Sequence, residues 1–132
     1  IETEKYDIHI NFPGGIPIDG PSAGVSMAVA LYSALSGKAI DNRIAMTGEV
    51  SIRGLIKRVG GITAKIDAAR RAGVQQVLIP EENWQQIYDD LDDIEVIPVD
   101  TLEKAIEIAV NIDKNEKIEL VTADSLMTIP TA

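Results

Sequence analysis

From Tyr6 to Phe12 (YDIHINF) apolar and polar residues alternate, with Ile8, Ile10 and Phe12 on one face and Asp7, His9 and Asn11 on the other. That period of two predicts a strand. Pro13, Gly14 and Gly15 end it, and a loop runs on to Gly20. The stretch from Pro21 to Ser36 is apolar almost all round. It predicts a helix that opens at Pro21, where a missing N–H costs nothing, and closes at Gly37. A helix apolar on every side is expected to be central and buried. Ile44 to Met46 predicts a short strand, and Val50–Ile52 and Leu55–Val59 predict a hairpin turning at Arg53-Gly54. After Gly60-Gly61 the apolar positions Ile62, Ile66 and Ala69 recur at helical spacing, so a helix is expected over 62–72. Arg70 and Arg71 suit its C-terminal end and Gly73 its cap. Val77–Ile79 reads as a buried strand stopped by Pro80, and 81–91 as a polar, exposed helix. Ile94–Val99 reads as a further strand. Asp100 or Thr101 is positioned to cap a final helix from Leu102 to about Ile112.

Helix and strand alternate through the second half, which implies parallel pairing, whereas the first half looks antiparallel. The expected class is therefore α/β (or α+β), a mixed sheet packed with helices. Residues 1–112 are expected to form the domain, and residues 113–132 a tail that is either an edge strand or disordered.

Composition narrows the chemistry. The 132 residues hold 45% hydrophobic and 25% charged side chains, ordinary for a globular domain, and only 4% aromatics, so the core is aliphatic. A net charge of −9 argues against nucleic acid and anionic membranes as partners. No cysteine is present, which excludes disulfides and thiolate metal sites, and a single histidine excludes a multi-histidine metal site within one chain. No apolar run is long enough to span a membrane, and the opening IETEKYD lacks signal-peptide character, so a cytoplasmic setting is expected.

The stretch Asp19-Gly20-Pro21-Ser22-Ala23-Gly24 is where chemistry enters. Ser22 falls in the first turn of the predicted helix, beside backbone N–H groups without intrahelical partners. A hydroxyl there serves as a simple cap, an anion-binding contact, or a nucleophile with an oxyanion hole. A nucleophilic serine needs a base. His9 is the only histidine; a lysine is the other choice. Lysine ordinarily carries its proton at pH 7, with a pKa near ~10.4, and becomes a base only when desolvated or set beside positive charge. Lys65 stands apart from the other lysines, in the first turn of a predicted helix among Ile62, Ala64, Ile66 and Ala68. The alternative for Lys65 is an exposed helix lysine paired with Asp67 or Glu49.

Four collinear motifs carry a resemblance. They are DGPSAG (19–24), AMTGE (45–49), GGITAK (60–65) and VLIPEEN (77–83), and together they closely resemble the proteolytic domain of Lon proteases over about residues 7–110. The resemblance implies a ribosomal protein S5 domain 2-like fold and a serine endopeptidase in which Ser22 is the nucleophile and Lys65 the base. It implies that Thr47 positions the lysine, and that Glu49 and Asp19 support the site. Many members carry two histidines on the strand that here holds Asp7 and His9, so His9 is read as a loop or strand contact. The domain is expected to be N-terminally incomplete relative to the family.

The implied reaction is hydrolysis of peptide bonds in unfolded or degron-bearing proteins. No G-x-x-x-x-G-K-[ST] pattern occurs, so ATP and Mg are expected only in an ATPase module of the full-length protein, and a hexameric ring is the assembly that the resemblance implies. Two other readings are a non-catalytic Lon-like module for assembly or partner binding, and a phosphate-binding domain like the small-molecule kinases of the galactokinase-like superfamily. The first would ordinarily have lost the serine or the lysine. The second leaves Lys65 without a purpose.

Overall fold

The computed structural model describes residues 3–15, 17 and 20–110. A 3-10 turn, Pro21–Ala23, leads into helix α1 (Gly24–Ser36). Strand β1 (Ile44–Met46) is followed by the short pair β2 (Glu49–Val50) and β3 (Ile56–Lys57), then helix α2 (Ile62–Arg71) and strand β4 (Gln76–Pro80). Two 3-10 turns, Glu81–Asn83 and Gln86–Asp90, precede strand β5 (Glu95–Val99) and helix α3 (Leu102–Ala109).

The strands form a parallel sheet of order β1-β4-β5 and a separate antiparallel pair, β2-β3. The sheet is buried on both faces, as parallel sheets require. Alternation along the strands sorts the side chains. Leu78 and Val99 join Val25, Val29, Tyr32, Ile106 and Ala109 in a core between the sheet, α1 and α3. Val77, Ile79 and Val96 join Ile62, Ile66, Ala69 and Tyr88 in a second core beneath α2. One layer of helix thus covers each face.

The expected parallel second half is present, and β1 belongs to it rather than to an antiparallel first half. The hairpin forms as read, though shorter, with Ser51 N–H donating to Leu55 O at 2.9 Å and Gly54 N–H to Ser51 O at 2.9 Å. Its return strand docks on the start of α3 through Ile56 N–H to Asp100 O, 2.8 Å. Thr101, not Asp100, caps α3, its hydroxyl accepting from Lys104 N–H.

Three expectations change. Residues 6–12 form no strand, and Ile8, Ile10 and Phe12 are all more than 40% exposed. Alternation alone does not make a strand, which needs a pairing neighbour, and none is present among the described residues. Helix α1 is not central: it buries Val25, Val29 and Tyr32 and leaves Ser26, Ala30 and Ala34 exposed. Its opposite side is made of small residues and tolerates solvent. Residues 81–91 are two 3-10 turns broken by extended Trp84 and Gln85, not one exposed helix. Here tertiary burial overrides the polar pattern: Tyr88 enters the second core, 5% exposed, with Trp84 edge-on to its ring at 5.9 Å. Asp19 and the tail at 113–132 lie outside the described residues.

Candidate active site

The site forms where the opening turn of α1 meets the carboxyl end of β1, the end at which open parallel sheets present ligand sites. Strand pairing continues one residue past β1, with Thr47 N–H donating to Leu78 O at 3.1 Å. The chain then passes directly beneath the opening turn of α1. Gly48 N–H donates to Ser22 O at 3.0 Å, Thr47 Oγ1 donates to the same carbonyl at 3.3 Å, and Val25 N–H returns a bond to Gly48 O at 3.1 Å. Ser22 is therefore held by its own carbonyl, with two donors on its two lone pairs.

Such close approach requires glycine on both sides. A Cβ on Gly48 would lie 2.7 Å from Ile56 Cγ2 and 2.8 Å from Val25 Cγ2, and one on Gly24 would lie 3.0 Å from Val50 N. These two glycines explain why the DGPSAG and MTGE motifs have the residues they have: the motifs pack against each other.

Lys65 arrives from a different element. Gly61 adopts the left-handed conformation (φ 64°), which favours glycine, and caps the N-terminus of α2. Lys65 N–H closes the first helical bond onto Gly61 O at 3.1 Å. The apolar face of α2 (Ile62, Ile66, Ala69) is fixed in the second core, and this rolls Lys65 towards β1. Ala64 and Ala68, expected to help bury the lysine, are exposed, and Lys65 itself is half-buried.

The result is one cavity of about 310 Å³ that brings together Ser22, Thr47 and Lys65, floored by Ala45, Met46 and Val77. Among the described residues neither Ser22 Oγ nor Lys65 Nζ has a hydrogen-bond partner. Asp67, the partner considered for Lys65, is bound by Arg70 at 3.4 Å. Apart from the core tyrosines, Thr47 is the only buried polar residue among those described, at 8% exposure. Its proton is committed to Ser22 O, and a hydroxyl that donates once still has lone pairs to accept with. An amine in the same cavity is the natural donor to them.

Glu49 does not line this cavity. It borders a neighbouring groove of about 530 Å³, whose wall is Phe12, Pro21, Ala23, Met27 and Val50 and which reaches the other side of the serine turn. Gly20 (φ 94°) and Ala23 flank Ser22 in the same turn. His9 is exposed and is not part of either wall. Among the described residues no group of three or more His, Asp or Glu side chains is placed to hold a metal ion, and no helix is long and apolar enough to cross a membrane.

Two residues that residue type alone does not single out belong to this neighbourhood. Ser26 lines the cavity one helical turn after Ser22 and donates from Oγ to Met46 O at 3.2 Å; its i, i+4 spacing from Ser22 is the signal that could have found it. Asn83 lines neither cavity but bonds the backbone of Val59, two residues past β3 on the way to α2, a use that its place in the VLIPEEN motif does not by itself reveal.

A family model, that of the Lon protease (S16) C-terminal proteolytic domain, matches residues 2–112. Lon protease 2 of Bacillus subtilis (strain 168) is 53% identical over 118 residues, covering 89% of this chain and 21% of that protein. The Lon protease of Methanosarcina barkeri is 44% identical over 112 residues, covering 81% of this chain and 14% of that protein. The Lon protease of Vibrio parahaemolyticus is 41% identical over 115 residues, covering 83% of this chain and 15% of that protein. The chain spans between 14% and 21% of the length of these relatives. It belongs to the Lon protease (S16) proteolytic-domain family.

Proposed function

We propose that this domain hydrolyses peptide bonds as a serine-type endopeptidase, with Ser22 as nucleophile and Lys65 as its general base. The observation that carries the reading is the convergence of Ser22, Thr47 and Lys65, from three different elements, on one cavity. A serine and a lysine there, neither engaged by a hydrogen bond among the described residues, are the minimum set for acyl transfer without histidine.

The Lys65 amine, acting as general base, takes the Ser22 proton as Oγ attacks the scissile carbonyl carbon. The backbone of the turn Gly20–Ala23 holds the oxyanion. Lys65 then gives the proton to the leaving amine as the C–N bond breaks, leaving an ester on Ser22. A water, deprotonated by Lys65, attacks that ester, releases the acid and restores the serine. Thr47 shares the cavity with the lysine and offers it an acceptor that would hold Nζ near Oγ. The groove walled by Phe12, Pro21, Met27 and Val50 is placed to take an apolar side chain next to the cleaved bond. Glu49 shapes the rim of that groove, and Asp19 is a supporting residue.

In the complete protein this activity works on unfolded or degron-bearing proteins, in the cytoplasm, with a hexameric ring and an ATPase module that supplies ATP and Mg chemistry. No step of the hydrolysis is routed through nucleotide or metal. A purely structural module would give the joint placement of Lys65 and Ser22 no use, and the match to a proteolytic-domain family favours peptide hydrolysis over a phosphate cradle. Ser22→Ala and Lys65→Ala in the complete protein are each expected to abolish cleavage of an unfolded protein while thermal unfolding stays within a few degrees of the parent. Full cleavage by either variant would exclude the dyad.

A further inference from the structure

The backbone of Val59 has no strand partner. The β2-β3 ladder pairs Ile56 and Lys57 and stops there. Val59 lies two residues further on, 8% exposed, and buried backbone N–H and C=O groups are rarely left unpaired. Both are satisfied by one side chain. Val59 N–H donates to Asn83 Oδ1 at 2.9 Å, and Asn83 Nδ2 donates to Val59 O at 3.0 Å. A carboxamide is the side chain that offers an acceptor and a donor side by side, so Asn83 takes the place of a strand neighbour.

The chain just beyond Val59 leads straight to the lysine. Gly60-Gly61 is the joint before α2, two residues whose backbone no side chain constrains, and Lys65 closes the first helical turn onto Gly61 O. From Val59 to Lys65 there is one glycine joint and one rigid turn. At its other end α2 is tied by Arg70 Nε to Asp93 at 2.9 Å. We propose that Asn83 is a positioning residue for the peptidase site: its two-point grip on Val59 fixes where α2 begins, and through that sets where Lys65 stands relative to Ser22. The inference rests on the reading of Ser22 and Lys65 as nucleophile and base.

The mechanism is geometric. Without the grip, Val59 must find other partners, and the glycine joint lets the first turn of α2 shift while Ile62 and Ile66 keep the helix in its core. A displacement of about 1 Å at a reacting group costs up to about 100-fold in rate. Substrate binding depends on the groove on the far side of Ser22, so KM is expected to hold. Asn83 touches neither the Ser22–Lys65 cavity nor that groove.

The test measures kcat and KM for a peptide substrate in the complete protein, per folded molecule by circular dichroism, well below the melting temperature. Four variants are compared: Lys65→Ala, Asn83→Ala, Asn83→Asp and Ile94→Val. The last trims the same core at Ile94, just before β5, without altering the Asn83–Val59 bonds, and is expected to keep kcat within twofold. Asn83→Ala is expected to lower kcat at least fivefold with KM within twofold. Asn83→Asp keeps the volume and the acceptor but sets an oxygen against Val59 O, and the same loss is expected. It decides the matter if the alanine variant does not fold. Lys65→Ala inactive with either Asn83 variant losing less than fivefold would overturn the positioning role and leave the dyad standing. Lys65→Ala active would overturn both.

Discussion

Gly48→Ala is the most demanding single change this site can be asked to bear. The added methyl group would sit 2.7 Å from Ile56 Cγ2 and 2.8 Å from Val25 Cγ2, about 1 Å inside contact distance on two sides, with Pro80 Cγ behind it at 3.5 Å. Val25 and Ile56 are 0% and 3% exposed, and both are β-branched, with few rotamers to escape into. Relief must come from the backbone, which here means separating α1 from β2 and β3. Overpacking of this kind costs about 1–3 kcal/mol, and two stiff neighbours place the expected loss at about 2–3 kcal/mol. For a slope of about 2 kcal/mol per molar urea that is a midpoint shift of about 1 M. The same separation stretches the bonds from Gly48 N–H and Thr47 Oγ1 to Ser22 O, so kcat is expected to fall about tenfold or more. Gly37→Ala is the control. It strains a left-handed residue (φ 70°) with nothing within 4 Å of the new methyl, costing about 1–2 kcal/mol with kcat unchanged. A Gly48→Ala loss under about 0.5 kcal/mol, or equal kcat effects from the two variants, would refute the idea that packing at this crossing places the serine.

Thr47→Val keeps the shape and removes the hydroxyl that bonds Ser22 O; it is expected to cost about 1 kcal/mol in urea unfolding and to lower kcat about tenfold at unchanged KM, and an unaltered kcat would count against a role for Thr47 at the lysine. Asp41 accepts hydrogen bonds from the Arg43 side chain and backbone N–H, which lower its pKa from 3.8 to about 2. A carboxylate whose folded pKa lies below its unfolded one stabilises above the unfolded value and loses that contribution as pH falls through the folded one. Asp41→Asn is therefore expected to unfold earlier in urea at pH 6 and to converge on the parent between pH 3.8 and about 2; a deficit that persists at the acid end would mean the effect is not ionic.

Most of the scaffold was legible in local sequence. The helices over 24–36, 62–71 and 102–109 announced themselves by spacing and by the glycines that end two of them, and the buried strands by short apolar runs. The features that stayed hidden depended on partners distant in sequence. Alternation at 6–12 reads as a strand whether or not a neighbour exists to pair with it. The acidic run at 81–91 reads as exposed because its two anchors, Asn83 and Tyr88, show their use only against Val59 and the second core. At the site, Ser22 and Lys65 could be nominated from residue type and from the resemblance. Their shared cavity could not, since it is made by two glycines crossing at 24 and 48 and by the roll of α2 on Ile62 and Ile66. The actual partner of the Thr47 hydroxyl, a backbone carbonyl of the serine itself, was equally out of reach.

The central claim is that Lys65 activates Ser22. The most direct measurement is the rate at which a peptidyl fluorophosphonate labels the complete protein, with the modified residue mapped by mass spectrometry. A single adduct on Ser22 is expected, formed at least 100-fold more slowly in Lys65→Ala. An adduct on the neighbouring Ser26 instead, or a labelling rate at Ser22 that is indifferent to the loss of Lys65, would contradict it.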